Sequence, residues 1–257
     1  MELEALLFDV DGTLADTERD GHRVAFNRAF AEAGLDWHWS VPLYGELLAV
    51  TGGKERIRRY LEAHRPDVRL PEDADGYIAE LHAAKTRHYT GMLAEGAIPL
   101  RPGVERLLRE ARDAGLRLGI ATTTTPENVT ALMTHALGAA ALDWFEVIAA
   151  GDVVPAKKPA PDIYDYALEQ LGVSPAAALA VEDSDPGLQS ARAAGLTTVI
   201  TVNDYTRAQD FTDAVAVLSD LGEPGHWPVE EASGERVPPV DLARLRSWHA
   251  DSLSQRG

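Results

Sequence analysis

The run Ala5-Leu6-Leu7-Phe8-Asp9-Val10-Asp11-Gly12-Thr13-Leu14 constrains this chain more than any other stretch. Ala5 to Phe8 and Val10 are apolar without alternation. That pattern reads as a strand buried on both faces, the habit of parallel sheets covered by helices. Asp9 and Asp11 put two carboxylates at the end of that strand, and Gly12 marks where the chain turns out of the sheet. Carboxylates there are costly unless something cationic compensates them. The rest of the sequence has to supply that compensation.

At 257 residues, 45% of them apolar, the chain can bury a sizeable core, as one large domain or one domain with an insert. Its 41 acidic against 24 basic side chains give a formal charge of −17, which argues against a nucleic-acid partner. Cysteine is absent, so disulfides, thiolate nucleophiles and thiolate metal sites are excluded together. The first strand begins within a few residues of the N-terminus, leaving no room for a signal or transit peptide. No apolar run approaches the roughly twenty residues of a membrane span. A soluble, cytoplasmic monomer without membrane contact is the expectation.

Residues 15–96 read as helices only. Phe26, Ala29, Phe30 and Ala33 share one helix face, with Gly34 as a stop; Tyr44, Leu47 and Leu48 mark a second helix and Ile57, Tyr60 and Leu61 a third. Ile78, Leu81, Tyr89 and Met92 form the stripe of a fourth. Trp37 and Trp39, in the connector after the first helix, are read as packing residues. From Leu100 the rhythm changes to helix alternating with strand: strands over 116–121, 147–150, 179–181, 197–202 and 215–218, with helices closed by Gly115, Gly172 and Gly195. This predicts an α/β fold, a parallel sheet with helices on both faces, built from 1–14 and 97–257 and interrupted by an all-helical insert. Residues 221–240, rich in proline, read as an irregular surface strap.

Ligands of such sheets sit at the carboxyl ends of the strands. Those ends release Asp9 and Asp11; Thr122 and Thr123; Lys157, Lys158 and Pro159; and Glu182 and Asp183. Several carboxylates with hydroxyls and a lysine suit a hard divalent cation, best Mg²⁺, and a phosphate. In that chemistry Asp9 attacks phosphorus to form an aspartyl phosphate, and Asp11 exchanges protons with the leaving oxygen and with water. Asp9 and Asp183 would hold the cation, Thr122 and a neighbouring amide the phosphate oxygens, and Lys158 would neutralise charge.

Asp9-Val10-Asp11-Gly12-Thr13-Leu14, Thr122, Lys158-Pro159 and Glu182-Asp183 resemble, in order and spacing, the four motifs of the haloacid dehalogenase-like hydrolases. The resemblance implies a Rossmann-like core with a helical cap of the C1 type after the first motif. Asp16-Thr17-Glu18, His22, Thr51-Gly52-Gly53-Lys54-Glu55-Arg56 and the stretch from Ile148 to Asp162 are most similar to the CbbY group. That group is implied to remove the 1-phosphate from xylulose 1,5-bisphosphate, an inhibitor of Rubisco; β-phosphoglucomutases are close relatives. By the same carry-over Asp11 binds the metal through its backbone carbonyl and Glu182 supports the metal site through water. Thr122 stands where serine is common, which keeps the hydroxyl.

Specificity falls to the insert, because the core meets only the phosphoryl group. Gly53 and Lys54, where glycines let a backbone approach a ligand, Lys85 on an apolar stripe, and Glu18 with His22 one turn apart are the candidate substrate contacts. Arg56 is a weaker candidate. Gly53-Lys54 is no nucleotide P-loop, since neither the earlier glycine nor the following Ser or Thr is there. The rival readings are a β-phosphoglucomutase-like phosphoryl transferase, a phosphoglycolate phosphatase and a silent binding module.

Overall fold

The computed structural model describes residues 2–50 and 52–256. The chain divides into two compact units, Met1–Asp16 with Pro99–Gly257, and Thr17–Ile98. The division falls two residues later at each crossing than the sequence suggests. Ala15 bridges Leu100 and the Arg101 amide donates to Leu14 O at 2.8 Å, which ties these residues to the first unit.

That unit holds one six-stranded sheet of order β3-β2-β1-β4-β5-β6, all neighbours parallel. The strands are β1 (Ala5–Phe8), β2 (Arg117–Ala121), β3 (Phe145–Ala149), β4 (Ala178–Glu182), β5 (Thr197–Thr201) and β6 (Ala216–Leu218). β1 lies between β2 and β4, so both its edges are paired and all four of its residues are fully buried. Ala5 and Leu7 join the cluster around Ile163, Tyr164, Ala167 and Leu168, and Leu6 and Phe8, alternating with them, serve the opposite face. The strand order reverses at β1, which opens a crevice beyond its carboxyl end.

Among the described residues, the α-helices of this unit are α5 (Val104–Asp113), α6 (Pro126–Leu137), α7 (Asp162–Leu171), α8 (Asp185–Ala193) and α9 (Leu242–Arg256). α7 packs on β2 and β3, α8 on β4 and β5, and α5 on β2 and on α9. The strap over 221–240 is irregular, as expected, but it has a task. The segment 229–231 runs beside β6, with Ser219 N donating to Val229 O at 2.8 Å and Glu231 N to Val217 O at 2.9 Å, so the sheet edge is covered. α9 was not expected: its buried positions include His249 and Ser252 beside Leu242 and Leu245, which blurs the apolar period.

The second unit contains α1 (Arg23–Glu32), α2 (Val41–Leu47), α3 (Gly53–His64) and α4 (Ala74–Ala94), with a π-helical turn over Thr17–His22 running into α1. The four apolar stripes are buried with two corrections, each at a residue just past a helix end: Ala33 is exposed, because α1 ends at Glu32, and Leu48 is half-buried, because α2 ends at Leu47. Trp37 and Trp39 pack as expected, against Phe30 and Tyr60, and Trp39 also against Phe26 and Tyr44. Asn27 clamps the connector, accepting from Trp39 N at 2.7 Å and donating to Trp39 O at 3.0 Å. Truncating Phe30 in this cluster would cost roughly 3–5 kcal/mol. Among the described residues no helix is long and apolar enough to cross a membrane.

Candidate active site

Asp9 directly follows β1, and its amide still donates to Val181 O at 3.1 Å, so its position is fixed by the central strand pair. Lys158 comes from the loop between β3 and α7, where the Lys158–Pro159 peptide is cis. Its ammonium donates to Asp9 Oδ1 at 2.7 Å, Glu182 Oε1 at 2.5 Å and Ala121 O at 2.9 Å. All three donors of the ammonium are thereby engaged. Tyr164 adds its hydroxyl to Glu182 Oε1 at 2.6 Å. Gly187 leaves room for the same carboxylate, since a Cβ there would lie 2.0 Å from Glu182 Oε2.

Asp9, Glu182 and Asp183 are buried, and one ligand atom of each falls within 4.8 Å of the others. Burial works against the charge of Lys158, but Asp9 and Glu182 outweigh it and hold its pKa above the ordinary lysine value. Burial pushes the Glu182 carboxyl up, against the pull of Lys158, and Asp9 adds to the push. Burial, Asp9 and Glu182 likewise raise Asp183, with Arg101 and the Asn203 amide acting the other way. Three carboxylates are buried together, only Asp9 and Glu182 share the ammonium, and every ligand atom the three offer is oxygen. That set fits a hard divalent cation.

Asp11 follows on the same turn, half-buried, and bridges Ala15; its carboxylate is not among the converging three. Gly12 sits at φ +92°, and a Cβ there would fall 2.2 Å from Asp183 Oδ2 and 2.7 Å from Asn203 Nδ2. Only glycine fits this turn against that carboxylate. Thr122 is fully buried after β2; its hydroxyl accepts from Thr124 N at 3.3 Å and keeps its proton to donate. Helix capping belongs to other residues, Thr125 for α6 and Ser184 for α8. Thr123 is exposed.

In the helical unit the expected residues divide. Glu18, His22, Lys85 and Arg56 come together, and Lys54 stands exposed at the start of α3. Glu18 Oε2 accepts from the Tyr44 hydroxyl at 2.6 Å; Arg56 donates to that hydroxyl at 3.1 Å and lies 3.9 Å from Glu18. Burial would raise the Glu18 carboxyl, but His22, Arg56, the Tyr44 hydroxyl and Lys85 carry it below its ordinary value. Lys85, which sequence left as snorkelling or facing an anion, is buried with its ammonium 2.8 Å from His22 Nδ1 and over the rings of Phe26 and Tyr89. An ammonium only donates, so Nδ1 accepts and Nε2 carries the imidazole proton. Burial, with Lys85, Arg56 and His82, overcomes Glu18 and lowers the His22 pKa to about 4. The ring stacks on Tyr89 at 3.8 Å.

Gly53 has a packing reason besides ligand approach: a Cβ there would meet the His82 ring at 2.5 Å. Thr51, the first residue of that motif, lies outside the described residues. Sequence reasoning missed Arg101, Tyr164, Tyr44 and Asn203. Asn203 had a usable signal, since it follows β5 as the other site residues follow their strands, and its Nδ2 donates to Asp183 Oδ2 at 2.7 Å.

Comparison with known proteins agrees with this geometry. The sequence matches the haloacid dehalogenase-like hydrolase family over residues 3–195. It is 48% identical to the plasmid-encoded protein CbbY of Cupriavidus necator over 254 residues, covering 98% of each chain. It is 54% identical to CbbY of Rhodobacter capsulatus, over 86% of this chain and 95% of that one. A crystal structure of a CbbY mutant from Rhodobacter sphaeroides, in complex with xylulose-(1,5)-bisphosphate, superposes with a TM-score of 0.70 at 48% identity, covering 87% of this chain and 96% of that one. Motif order, sheet topology and near full-length identity lead to one assignment: this chain belongs to the haloacid dehalogenase-like hydrolases and, among them, to the CbbY group of phosphatases.

Proposed function

We propose that the protein is a Mg²⁺-dependent phosphatase that converts xylulose 1,5-bisphosphate to xylulose 5-phosphate through an aspartyl phosphate on Asp9. The observation that carries the reading is the ammonium of Lys158 held between Asp9 and Glu182, beside Asp183. In the first step an Asp9 carboxylate oxygen bonds to phosphorus, the bond to the sugar oxygen breaks, and the Asp11 carboxyl protonates that leaving oxygen. In the second, Asp11 takes a proton from water, the water oxygen bonds to phosphorus, and the bond to Asp9 breaks to release inorganic phosphate. Thr122 holds phosphoryl oxygens, and the charge of Lys158 beside Asp9 offsets the negative charge that gathers there. Asp9, Asp183 and the Asp11 carbonyl would hold the cation, which when bound screens the approach of one anion to another.

The helical unit supports a substrate with a second anionic group. Lys85 and Arg56 are cations set among hydrogen-bonding partners, and neutral His22 with Glu18 suits sugar hydroxyls. Xylulose-(1,5)-bisphosphate is the ligand in the Rhodobacter sphaeroides complex, which supports the same choice. We read the enzyme as a cytoplasmic monomer, in the compartment where such charged sugars are made.

The test is a kinetic panel of pentulose and hexose bisphosphates with and without Mg²⁺, scored by phosphate release. Preference for xylulose 1,5-bisphosphate is expected. Conversion of glucose 1-phosphate to the 6-phosphate in the presence of catalytic bisphosphate would make the protein a mutase. No phosphate release from any ester would refute catalysis outright.

A further inference from the structure

Arg101 is a buried cation that the phosphatase chemistry does not use. It stands two residues past the point where the chain returns from the helical unit, and its relative exposure is 8%. Its guanidinium donates to the carbonyls of Gly12, Thr201 (2.9 Å), Val202 (2.6 Å) and Ser219 (2.7 Å), and to the Thr201 hydroxyl at 3.1 Å. Nε lies 3.4 Å from Asp16 Oδ1. One side chain thus gathers the turn after β1 and the carboxyl ends of β5 and β6. Burying a guanidinium costs several kcal/mol unless its donors are satisfied, and charge-assisted bonds to carbonyls are the strong kind.

Two of these carbonyls belong to the surroundings of Asp183. Gly12 is the residue whose missing Cβ makes room for that carboxylate. Val202 leads directly into Asn203, whose Nδ2 donates to Asp183 Oδ2 while its Oδ1 accepts from Tyr205 N at 2.9 Å. Asn203 N is held in turn by the Thr206 hydroxyl at 3.1 Å. We infer that Arg101 is a positioning residue for the metal carboxylate. By fixing the Gly12 and Val202 carbonyls it sets the two walls, glycine on one side and the Asn203 amide on the other, between which Asp183 is aimed. The inference rests on the proposed use of Asp183 as a metal ligand. Partners that orient a ligating carboxylate are worth about 10–100-fold in metal affinity.

The experiment uses the full chain. Mg²⁺ affinity is measured by titration calorimetry, and the Mg²⁺ concentration for half-maximal hydrolysis of p-nitrophenyl phosphate is measured beside it. The variants are Arg101→Lys, Asn203→Ala and their combination. Lysine keeps the charge but cannot fan across four carbonyls. Each single variant is expected to raise both constants about ten-fold or more, with kcat recovering at high Mg²⁺. The double variant is expected to be little worse than either, since the two residues act in series. A purely structural role would lower the melting temperature and leave the Mg²⁺ constants alone.

Should Arg101→Lys fail to fold, Arg101→Gln, which keeps an amide donor toward the same carbonyls, takes its place in both measurements. Mg²⁺ constants within about two-fold of wild type in the folded variants, or additive losses in the double variant, overturn the inference while the phosphatase reading stands. Wild-type protein that neither binds Mg²⁺ nor hydrolyses the ester overturns both.

Discussion

The ammonium of Lys158 lies 2.7 Å from Asp9 Oδ1, and its other two donors are taken by Glu182 and the Ala121 carbonyl. A lysine tethered in three directions cannot drift when an anionic phosphoryl group arrives. Replacing it by methionine leaves two buried carboxylates without their counter-ion. Lys158→Met should lower kcat by roughly 10²–10³-fold, the size of losing a preorganised charge at the reacting group. It should also destabilise the fold by about 3–5 kcal/mol, as removal of one partner of a buried pair does. Asp9→Asn should abolish turnover; phosphate release at the wild-type rate from that variant would remove Asp9 as the nucleophile.

The same pairing predicts an alkaline signature. The folded-state pKa of Lys158 is raised, because Asp9 and Glu182 outweigh the penalty of burial. Stability from this charge is therefore fully present below the unfolded value of about 10.4 and is lost as pH rises through the higher folded value. Urea midpoints of wild type and Lys158→Met, measured against rising pH, should begin to converge only above about pH 10, while toward acid the gap should narrow as the carboxyls that Lys158 faces take up protons. A gap that closes between neutral pH and about pH 10 as pH rises would contradict the arrangement.

His22 gives the opposite sign. Burial with Lys85, Arg56 and His82 lowers its pKa to about 4, so the folded protein keeps the imidazole neutral where the unfolded chain would protonate it. The stability linked to this neutral ring is present above about pH 6.5 and is lost as pH falls through about 4. Nitrogen-detected NMR should show the Nε2–H tautomer down to that pH. In Lys85→Met the ring should titrate closer to its ordinary value, because one of the charges opposing protonation is gone. The same variant should raise KM for the bisphosphate more than for p-nitrophenyl phosphate.

The core site was legible because its residues obey a rule that strand periodicity makes visible. Asp9, Thr122 and Glu182-Asp183 each end or follow a strand, and a parallel sheet brings such ends to one edge. Arg101 was not legible: it precedes a helix, and its partners are main-chain carbonyls, which leave no mark in a sequence. Tyr164 looked like one more apolar position of α7, since only its hydroxyl reaches Glu182. In the helical unit the stripes placed Lys85 on the buried face correctly. They could not say that its neighbour is a histidine nitrogen, because that contact joins residues 63 positions apart. The π-helical turn over Thr17–His22 has no periodic signal in six residues.

The last residue but one of that turn has a size that can be tested. Gly21 lies where an added Cβ would be 2.7 Å from Ile98 Cδ1 and 2.8 Å from Tyr89 Cε2. Ile98 is buried but its terminal methyl can rotate. The Tyr89 ring cannot, because it is buried and stacked at 3.8 Å on His22, the residue next to the glycine. Gly21→Ala must therefore push the turn away from α4 or force the tyrosine ring aside, and either motion breaks the stack that holds His22 beside Lys85. The overpacking should cost about 1–3 kcal/mol, read as a lower urea midpoint at unchanged m-value. Because the damage falls on the helical unit and leaves Asp9, Lys158 and Asp183 untouched, KM for the bisphosphate should rise several-fold while kcat for p-nitrophenyl phosphate stays near wild type. An unchanged midpoint would mean that the turn has slack the close contact does not allow; an unchanged KM would mean that the His22–Tyr89 stack plays no part in holding the sugar.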